Sequence, residues 1–200
     1  MALRDIVIEP RREIPLESEV DVAVVGGGTA GVMAAAAAAR AGARACLIER
    51  TGAVGGMMQF GMMGFVDQRF FHDLQGRATV AGAPLELVEA LIQSGATPYD
   101  SLAEAAAGGR SICYRHEHAG REMLRLLRAA GVELWLHACF ARAQAAPRLG
   151  YDLFFEAKGG RRAIRAKQVV DCTGEADVAL SLGAAMREEK ARNYSWGLLF

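Results

Sequence analysis

A strand, a glycine-rich turn and a helix follow one another near the amino end of the chain. The run Val20–Val25 is mostly β-branched, which is typical of a parallel strand covered on both faces. The glycine-rich run at residues 26–31 follows directly, and the alanine-dominated stretch 32–41 predicts a helix. A second strand is predicted over residues 43–49. This order predicts a strand–helix–strand unit of about 30 residues, and therefore an α/β fold with a parallel sheet.

The spacing Gly26-x-Gly28-x-x-Gly31, set between a strand and a helix, is a dinucleotide-binding fingerprint. Gly26 would permit the tight turn, Gly28 would let the pyrophosphate approach the backbone, and Gly31 would allow close packing of helix on strand. The helix N-terminus would present free N–H groups to the diphosphate. Glu49 ends the second strand, where a carboxylate can bind the ribose diol and repels the 2′-phosphate of NADP. The alternative is a glycine-rich turn that binds no nucleotide.

Beyond Glu49 the regular pattern stops. Residues 51–82 are rich in Gly, Met and Phe and predict a loop with short helical turns. Further elements are predicted from apolar periodicity and from glycine and proline boundaries: helices over 84–94, 120–130 and 175–182, and strands over 132–137, 151–157, 161–166 and 168–171. The strands at 151–166 flank Gly159-Gly160 and predict a hairpin, which would form an antiparallel crossover between two parallel strands.

FAD and NAD share the glycine fingerprint, so the segment after Glu49 has to distinguish them. In an NAD-binding domain a further helix and a third parallel strand normally follow quickly. Here a long loop intervenes, and the chain returns to the sheet only near Val132. This arrangement favours FAD, with an NAD-dependent dehydrogenase as an alternative.

Four stretches of the chain resemble the glutathione-reductase-like FAD superfamily, and more closely its branch of FAD-dependent oxidoreductases. They are DVAVVGGGTAGVMAAAAAARAGARACLIER from Asp21, the doublet Gly55-Gly56, GVELWLHA from Gly131 and AKQVVDCTGEADVAL from Ala166. The resemblance covers about residues 20–185. It implies a Rossmann-like FAD-binding domain with a parallel sheet and an antiparallel hairpin crossover.

The resemblance also assigns each stretch a place along FAD. The Gly-Gly pair would lie near the flavin, the turn Asp171-Cys172-Thr173-Gly174 would approach FAD, and the backbone after the strand 132–137 would meet the adenine. The fingerprint and the resemblance together predict these cofactor-binding residues: Gly26, Gly27, Gly28, Thr29, Ala30, Gly31, Glu49, Arg50, Gly55, Gly56, Met57, Phe140, Ala141, Thr173, Gly174 and Asp177.

The function implied is an FAD enzyme that moves a hydride or an electron pair between flavin and a small organic substrate. The catalytic residues are not predicted. The main alternative is a non-catalytic nucleotide-binding module or an incomplete fragment.

Two segments are expected along the chain: an extended arm over 1–19, and an FAD-binding domain over 20–200 with a loop and helical insert at about 51–118. Relatives continue into a substrate domain and a last FAD-binding segment. The chain stops in the apolar run Trp196–Phe200. We therefore expect an N-terminal portion, incomplete at the C-terminus and prone to self-association through an unpaired strand.

Composition excludes several other classes. Lys+Arg and Asp+Glu number 23 each, so no basic excess indicates nucleic-acid binding. The longest apolar run, Val32–Ala39, is far shorter than the roughly 20 residues that a membrane span requires. The N-terminus has no apolar core of a signal sequence. Four widely separated cysteines predict free thiols and a cytoplasmic protein.

Four further groups have two interpretations each. His116-Glu117-His118 suggests a metal site, but a solvated helix is favoured and no metal is predicted. His72-Asp73 could be an acid–base pair near the flavin, although an exposed loop pair is favoured. The methionines of the long loop could line an adaptable pocket or fill the core: Met57, Met58, Met62 and Met63. Cys172 is interpreted as a small buried side chain rather than a redox thiol.

Overall fold

Six strands of the chain form one mainly parallel sheet. The computed structural model describes residues 10–67, 73, 75, 77, 79–107, 111–148 and 150–187. The strands are β1 (Leu16–Val25), β2 (Ala45–Ile48), β3 (Phe65–Val66), β4 (Ile112–Cys113), β5 (Glu133–Trp135), β6 (Cys139–Ala145), β7 (Tyr151–Ala157) and β8 (Gly160–Asp171). The helices are α1 (Thr29–Arg40), α2 (Ala83–Gln93), α3 (Leu102–Ala107), α4 (His116–Ala129) and α5 (Asp177–Ser181), and a 3₁₀ turn spans Gly56–Met58.

The strand order in the sheet is β5-β2-β1-β8-β7-β6. β1 pairs in parallel with both β2 and β8, and β2 pairs in parallel with β5. β7 is antiparallel to β6 and to β8. The carboxyl ends of β1, β2 and β8 therefore meet at one edge of the sheet, which is where ligands bind in open α/β sheets.

Apolar side chains fill both faces of the parallel strands. Leu47 packs with α1, α2 and α4 residues on one face, while its neighbour Ile48 packs with Phe155 and Ile164 on the other. Both faces of β2 are thus buried, which explains the continuous apolar run predicted for a doubly covered strand. The small side chains of Ala35 and Ala36 lie in the first core and let α1 approach the sheet closely.

The predicted antiparallel hairpin is confirmed, and its second strand is longer than predicted. The strands predicted over 161–166 and 168–171 are one continuous strand, β8, because β1 pairs with residues 163–171, across the break predicted at Lys167, while β7 pairs with residues 160–166. The hairpin therefore continues directly into the parallel part of the sheet. β6 had not been predicted as a strand at all, since only Ala143 within it is buried.

Other boundaries also differ. β1 begins at Leu16, so the last residues of the predicted arm 1–19 belong to the sheet. α4 begins at His116, inside the predicted insert 51–118 and four residues before the predicted helix start. Within that insert, α3 and the short β3–β4 pair had not been predicted. Pairs of two-residue strands leave too short a pattern for periodicity to detect.

Two predictions fall outside the described residues: the one on His72 and the one on the end Trp196–Phe200. Among the residues described, no helix has the length and apolar character needed to cross a membrane.

Candidate functional site

The glycine-rich turn after β1 brings backbone segments unusually close together. Gly26 has φ +101°, and a Cβ there would lie 2.2 Å from the Cys172 carbonyl oxygen. A Cβ on Gly31 would lie 1.8 Å from the Gly26 carbonyl oxygen. Both separations are impossible for a real side chain. Gly26 therefore permits the turn against β8, and Gly31 permits α1 to pack on the strand, as the fingerprint predicts.

Gly28 is constrained by nothing in the protein itself. Its φ of −69° suits any residue, and a Cβ there would meet no heavy atom within 4 Å. Gly28 is the N-cap of α1, which has no side-chain cap and no acidic residue in its first turn. The helix thus presents uncapped N–H groups and the positive end of its dipole to open space. This is the arrangement in which an anion binds a helix N-terminus.

Glu49 is buried directly beside this turn, with 9% of its surface exposed. One carboxylate oxygen accepts a hydrogen bond from Gly27 N at 2.6 Å, and the other accepts from Thr51 N and Thr51 Oγ1, each at 2.7 Å. The carboxylate therefore joins the ends of β1 and β2. Its predicted role at a ribose would use the acceptor capacity that these bonds leave. The next residue, Arg50, is exposed.

The Gly55-Gly56 doublet packs onto the same turn. Gly55 N donates to the Gly27 carbonyl oxygen at 2.8 Å. A Cβ on Gly56 would lie 2.9 Å from Gly28 Cα, and both glycines have positive φ. The doublet therefore brings the long loop back against the phosphate-side turn. Met57, the next residue, is 61% exposed.

The turn after β8 is organised by one carboxylate. Asp171 accepts hydrogen bonds from Thr173 N and Oγ1 and, through its second oxygen, from Ala179 N. Burial alone would raise the pKa of Asp171, but the bonds from Ala179 and Thr173 outweigh it and lower that pKa. Thr173 Oγ1 also accepts from Asp177 N at 3.0 Å. The Thr173 hydroxyl is therefore already engaged, whereas Gly174 and Asp177 are exposed.

Phe140 and Ala141 lie on the edge strand β6. Phe140 pairs with Phe155 and Arg142 pairs with Phe154, so Ala141 is the extra residue of a β-bulge. The Phe140 side chain packs against the second core. A ligand contact at this position would therefore come from the backbone or from Ala141, which is exposed.

The structure thus joins most of the predicted residues into one site at the carboxyl ends of β1, β2 and β8. The glycine-rich turn, Glu49, Gly55-Gly56 and the turn at Cys172 are all in direct contact. The segment with Phe140 connects to it through β5, because Ala138 N donates to the Glu49 carbonyl oxygen.

One residue beside this site had not been predicted. His137 adopts φ +53° at the end of β5, and its N–H donates to the Thr51 carbonyl oxygen. A Cβ on Gly52 would lie 2.6 Å from two atoms of the His137 ring, so the ring lies directly over Gly52. Left-handed backbone at a non-glycine residue often marks a functional position. The two residues are 85 positions apart, and no local pattern signals their contact.

The structure also places the residues that had two interpretations each. His116 and His118 lie in the first turn of α4, where His118 Nδ1 is bonded to Arg121. No cluster of three metal-ligating side chains occurs among the described residues. Met58 is buried in the core, whereas Met57, Met62 and Met63 are exposed. Burial raises the pKa of the Cys172 thiol, which makes it a poor redox group.

The comparison with protein families gives one match over most of the chain. Residues 21–195 match the family described as FAD dependent oxidoreductase. The chain belongs to this family. No curated protein matches it significantly.

Several solved structures share the fold of this chain. The p-nitrophenol 4-monooxygenase from Pseudomonas putida DLL-E4 is 16% identical with a TM-score of 0.57, over 84% of this chain and 43% of that one. A geranylgeranyl bacteriochlorophyll reductase-like protein from Thermoplasma acidophilum is 19% identical with a TM-score of 0.56, over 83% and 42%. A 3-ketosteroid-delta4-(5alpha)-dehydrogenase from Rhodococcus jostii RHA1 is 17% identical with a TM-score of 0.51, over 78% and 46%. The chain spans less than half the length of each.

Proposed function

We propose that this chain forms the FAD-binding part of an oxidoreductase in which a hydride or an electron pair passes between bound flavin and a small organic substrate. The family supports FAD as the cofactor. The observation that carries the proposal is the open space at Gly28 in front of the uncapped α1. No packing requirement of the protein explains a glycine there, whereas close passage of a diphosphate does.

The other predicted residues follow from that placement. With the diphosphate at Gly28 and the first turn of α1, Glu49 lies within reach of the adenosine ribose. Gly55-Gly56 packs against the glycine-rich turn from its other side. The Thr173-Gly174 turn lies beside the glycine-rich turn because β8 pairs with β1. Phe140 and Ala141 would supply the adenine contact at the edge of the sheet.

The chain's own residues bind and orient the cofactor. Backbone N–H groups of the turn donate to the diphosphate, and the Glu49 carboxylate accepts from the ribose hydroxyls while it holds Gly27 in place. Rigid backbone contacts keep these groups aligned before the ligand arrives, which lowers the cost of binding. Bound FAD supplies the redox chemistry itself.

Replacing Gly28 tests the proposal. Gly28→Val has room in the protein, so its circular dichroism spectrum should match that of the parent, but its side chain would occupy the position of the diphosphate. We expect the parent to purify with the visible absorbance of flavin and the variant to lose it.

Two control variants separate loss of binding from loss of fold. Gly64→Ala adds a methyl group that meets Tyr114 O at 3.4 Å without positive φ, and it should keep both the spectrum and the flavin. Gly31→Ala should lose both, because its Cβ collides with the Gly26 carbonyl. A Gly28→Val protein with full flavin content would contradict the proposal. A colourless parent that binds NADH would support the NAD-dependent alternative.

Two weaker features support further parts of the proposal. All four cysteines are free thiols, which supports a reducing, cytoplasmic location, and cell fractionation tests it. Within the part of the chain described, no strand pairs with Lys167–Asp171 on the side away from β1. Such an edge favours self-association, which would appear as a concentration-dependent mass in light scattering.

A further inference from the structure

A groove rich in arginine lies far from the glycine-rich turn. It has a volume of about 740 Å³ and runs between the segment before β1 and the outer face of β6, β7 and β8. Four arginines and two apolar side chains dominate its lining: Arg11, Arg12, Arg142, Arg161, Ile14 and Phe154. It lies at the amino end of β1, whereas the turn follows its carboxyl end, roughly 30 Å away at 3.3 Å per residue. The two sites are therefore separate.

The arginines of the groove are only partly neutralised. Glu156 lies 2.5 Å from Arg161 and 3.8 Å from Arg12, so both of these arginines have an ion-pair partner. The side chains of Arg11 and Arg142 are exposed and have no hydrogen-bond or ion-pair partner among the described residues. An excess of positive charge remains in the groove, and Arg161 is held in position by its ion pair.

A second groove on the same sheet has fewer unpaired cations. Three of its four cations lie beside acids: Arg165 bonds to Asp152 at 2.7 Å, and Asp21 lies 2.8 Å from Lys167 and 3.4 Å from Arg44. The hydrogen bond from Lys167 is the main reason that the pKa of Asp21 lies well below its usual range. These three cations and their acids stabilise one another, and Arg148 is the fourth cation, without a side-chain partner among the described residues. The second groove therefore has one unpaired arginine where the first groove has two.

We propose that the arginine groove binds a small molecule with at least two adjacent anionic groups, phosphate or carboxylate. A guanidinium group presents paired N–H donors in a plane, which fits both kinds of anion. The volume is within the range of small-molecule sites. The half-buried ring of Phe154 supplies an apolar wall for the carbon part of such a ligand. Residues 10–14 lie outside the family match at 21–195, so the site uses a part of the chain that the family does not define.

Titration calorimetry with inorganic pyrophosphate and with citrate tests the proposal. FAD is present at a saturating concentration, so that the glycine-rich turn is occupied. We expect at least one of the two anions to bind, and the preferred one distinguishes phosphate from carboxylate. Arg142→Ala should weaken that binding at least tenfold, since a hydrogen bond to a charged group contributes about 1.5–3 kcal/mol. Arg142→Lys should retain part of the affinity, because it keeps the charge and loses the paired donors.

The matched control is Arg148→Ala, since Arg148 is also an exposed arginine without a side-chain partner among the described residues, in the second groove. It should leave the affinity unchanged, and all three variants should keep the melting temperature and flavin content of the parent. Absence of binding by the parent, or an equal loss in Arg142→Ala and Arg148→Ala, would overturn the proposal. Tighter binding of a single-stranded oligonucleotide with the same dependence on Arg142 would show that the ligand is a polymer instead.

Discussion

The sites at the two ends of β1 differ in whether backbone or charged side chains form them. At the carboxyl end, three glycines stand where a Cβ would lie within 3 Å of backbone: Gly26, Gly31 and Gly56. At the amino end, long charged side chains from distant segments surround an open groove. Backbone defines the first site and side-chain charge defines the second. A site made of backbone tolerates few substitutions but is rigid, whereas a site made of surface arginines can change without affecting the fold.

The largest effect is expected in the core that lies behind the arginine groove. Phe155 is fully buried and its ring lies 5.3 Å from that of Trp135. Phe155→Ala should lower the free energy of unfolding by about 3–5 kcal/mol, measured by urea denaturation. Phe154→Ala, next in sequence but facing the groove, should cost clearly less. Equal losses would show that the two faces of the meander β6–β8 are not distinct.

A smaller effect is expected at Glu49. Glu49→Ala should weaken FAD binding roughly 10- to 150-fold, because hydrogen bonds to a charged group contribute about 1.5–3 kcal/mol. Titration of the apoprotein with FAD measures it. Glu49→Gln retains an acceptor oxygen, so its affinity for FAD should lie between those of Glu49→Ala and the parent. Unchanged affinity in Glu49→Ala would remove this residue from the ribose site. Because Glu49 also binds Gly27 and Thr51, the melting temperature of each apoprotein has to be compared.

The smallest effect concerns pH and Asp171. Its pKa is lowered in the folded protein, so its contribution to stability is present above the ordinary value of about 3.9. That contribution is lost as pH falls through the lowered pKa. Asp171→Asn should therefore cost about 1 kcal/mol at pH 7 and less near pH 2.5. Unfolding measured at both values tests this. A difference between parent and variant that does not shrink at low pH would show that the carboxylate acts without its charge.

Much of the site was predictable because its signals are contiguous. The apolar strand, the glycine spacing and the alanine-rich helix lie within residues 20–41, and each reports a local backbone requirement. The strand–helix–strand unit and the roles of Gly26 and Gly31 are confirmed by the structure. Family membership was also predictable, since the resemblance rests on short motifs and the family match covers residues 21–195. The ligand contacts of Glu49, Phe140 and Asp177 stay predictions.

The meander was predicted less well because its pattern is set by neighbours rather than by sequence. β8 is one strand because β1 pairs with its residues 163–171, across the break predicted at Lys167, whereas β7 pairs only with residues 160–166. The sequence shows two short apolar runs with charges between them and gives no sign that both belong to one strand. β6 shows no apolar alternation in the sequence. It is held in the sheet by backbone pairing with β7 and by a hydrogen bond from Ala143 N to Ser181 Oγ of α5.

The sequence by itself determined where a side chain is forbidden. Close backbone approach requires glycine, and a glycine can be identified in the sequence without knowledge of its spatial neighbours. It also determined the order of the strand, turn and helix that surround those positions. Only the tertiary structure decided which distant residues meet, as His137 over Gly52 and Glu49 against Gly27 show. Such contacts depend on sheet order and register, which place residues far apart in the chain within a few ångströms. No local propensity carries that information.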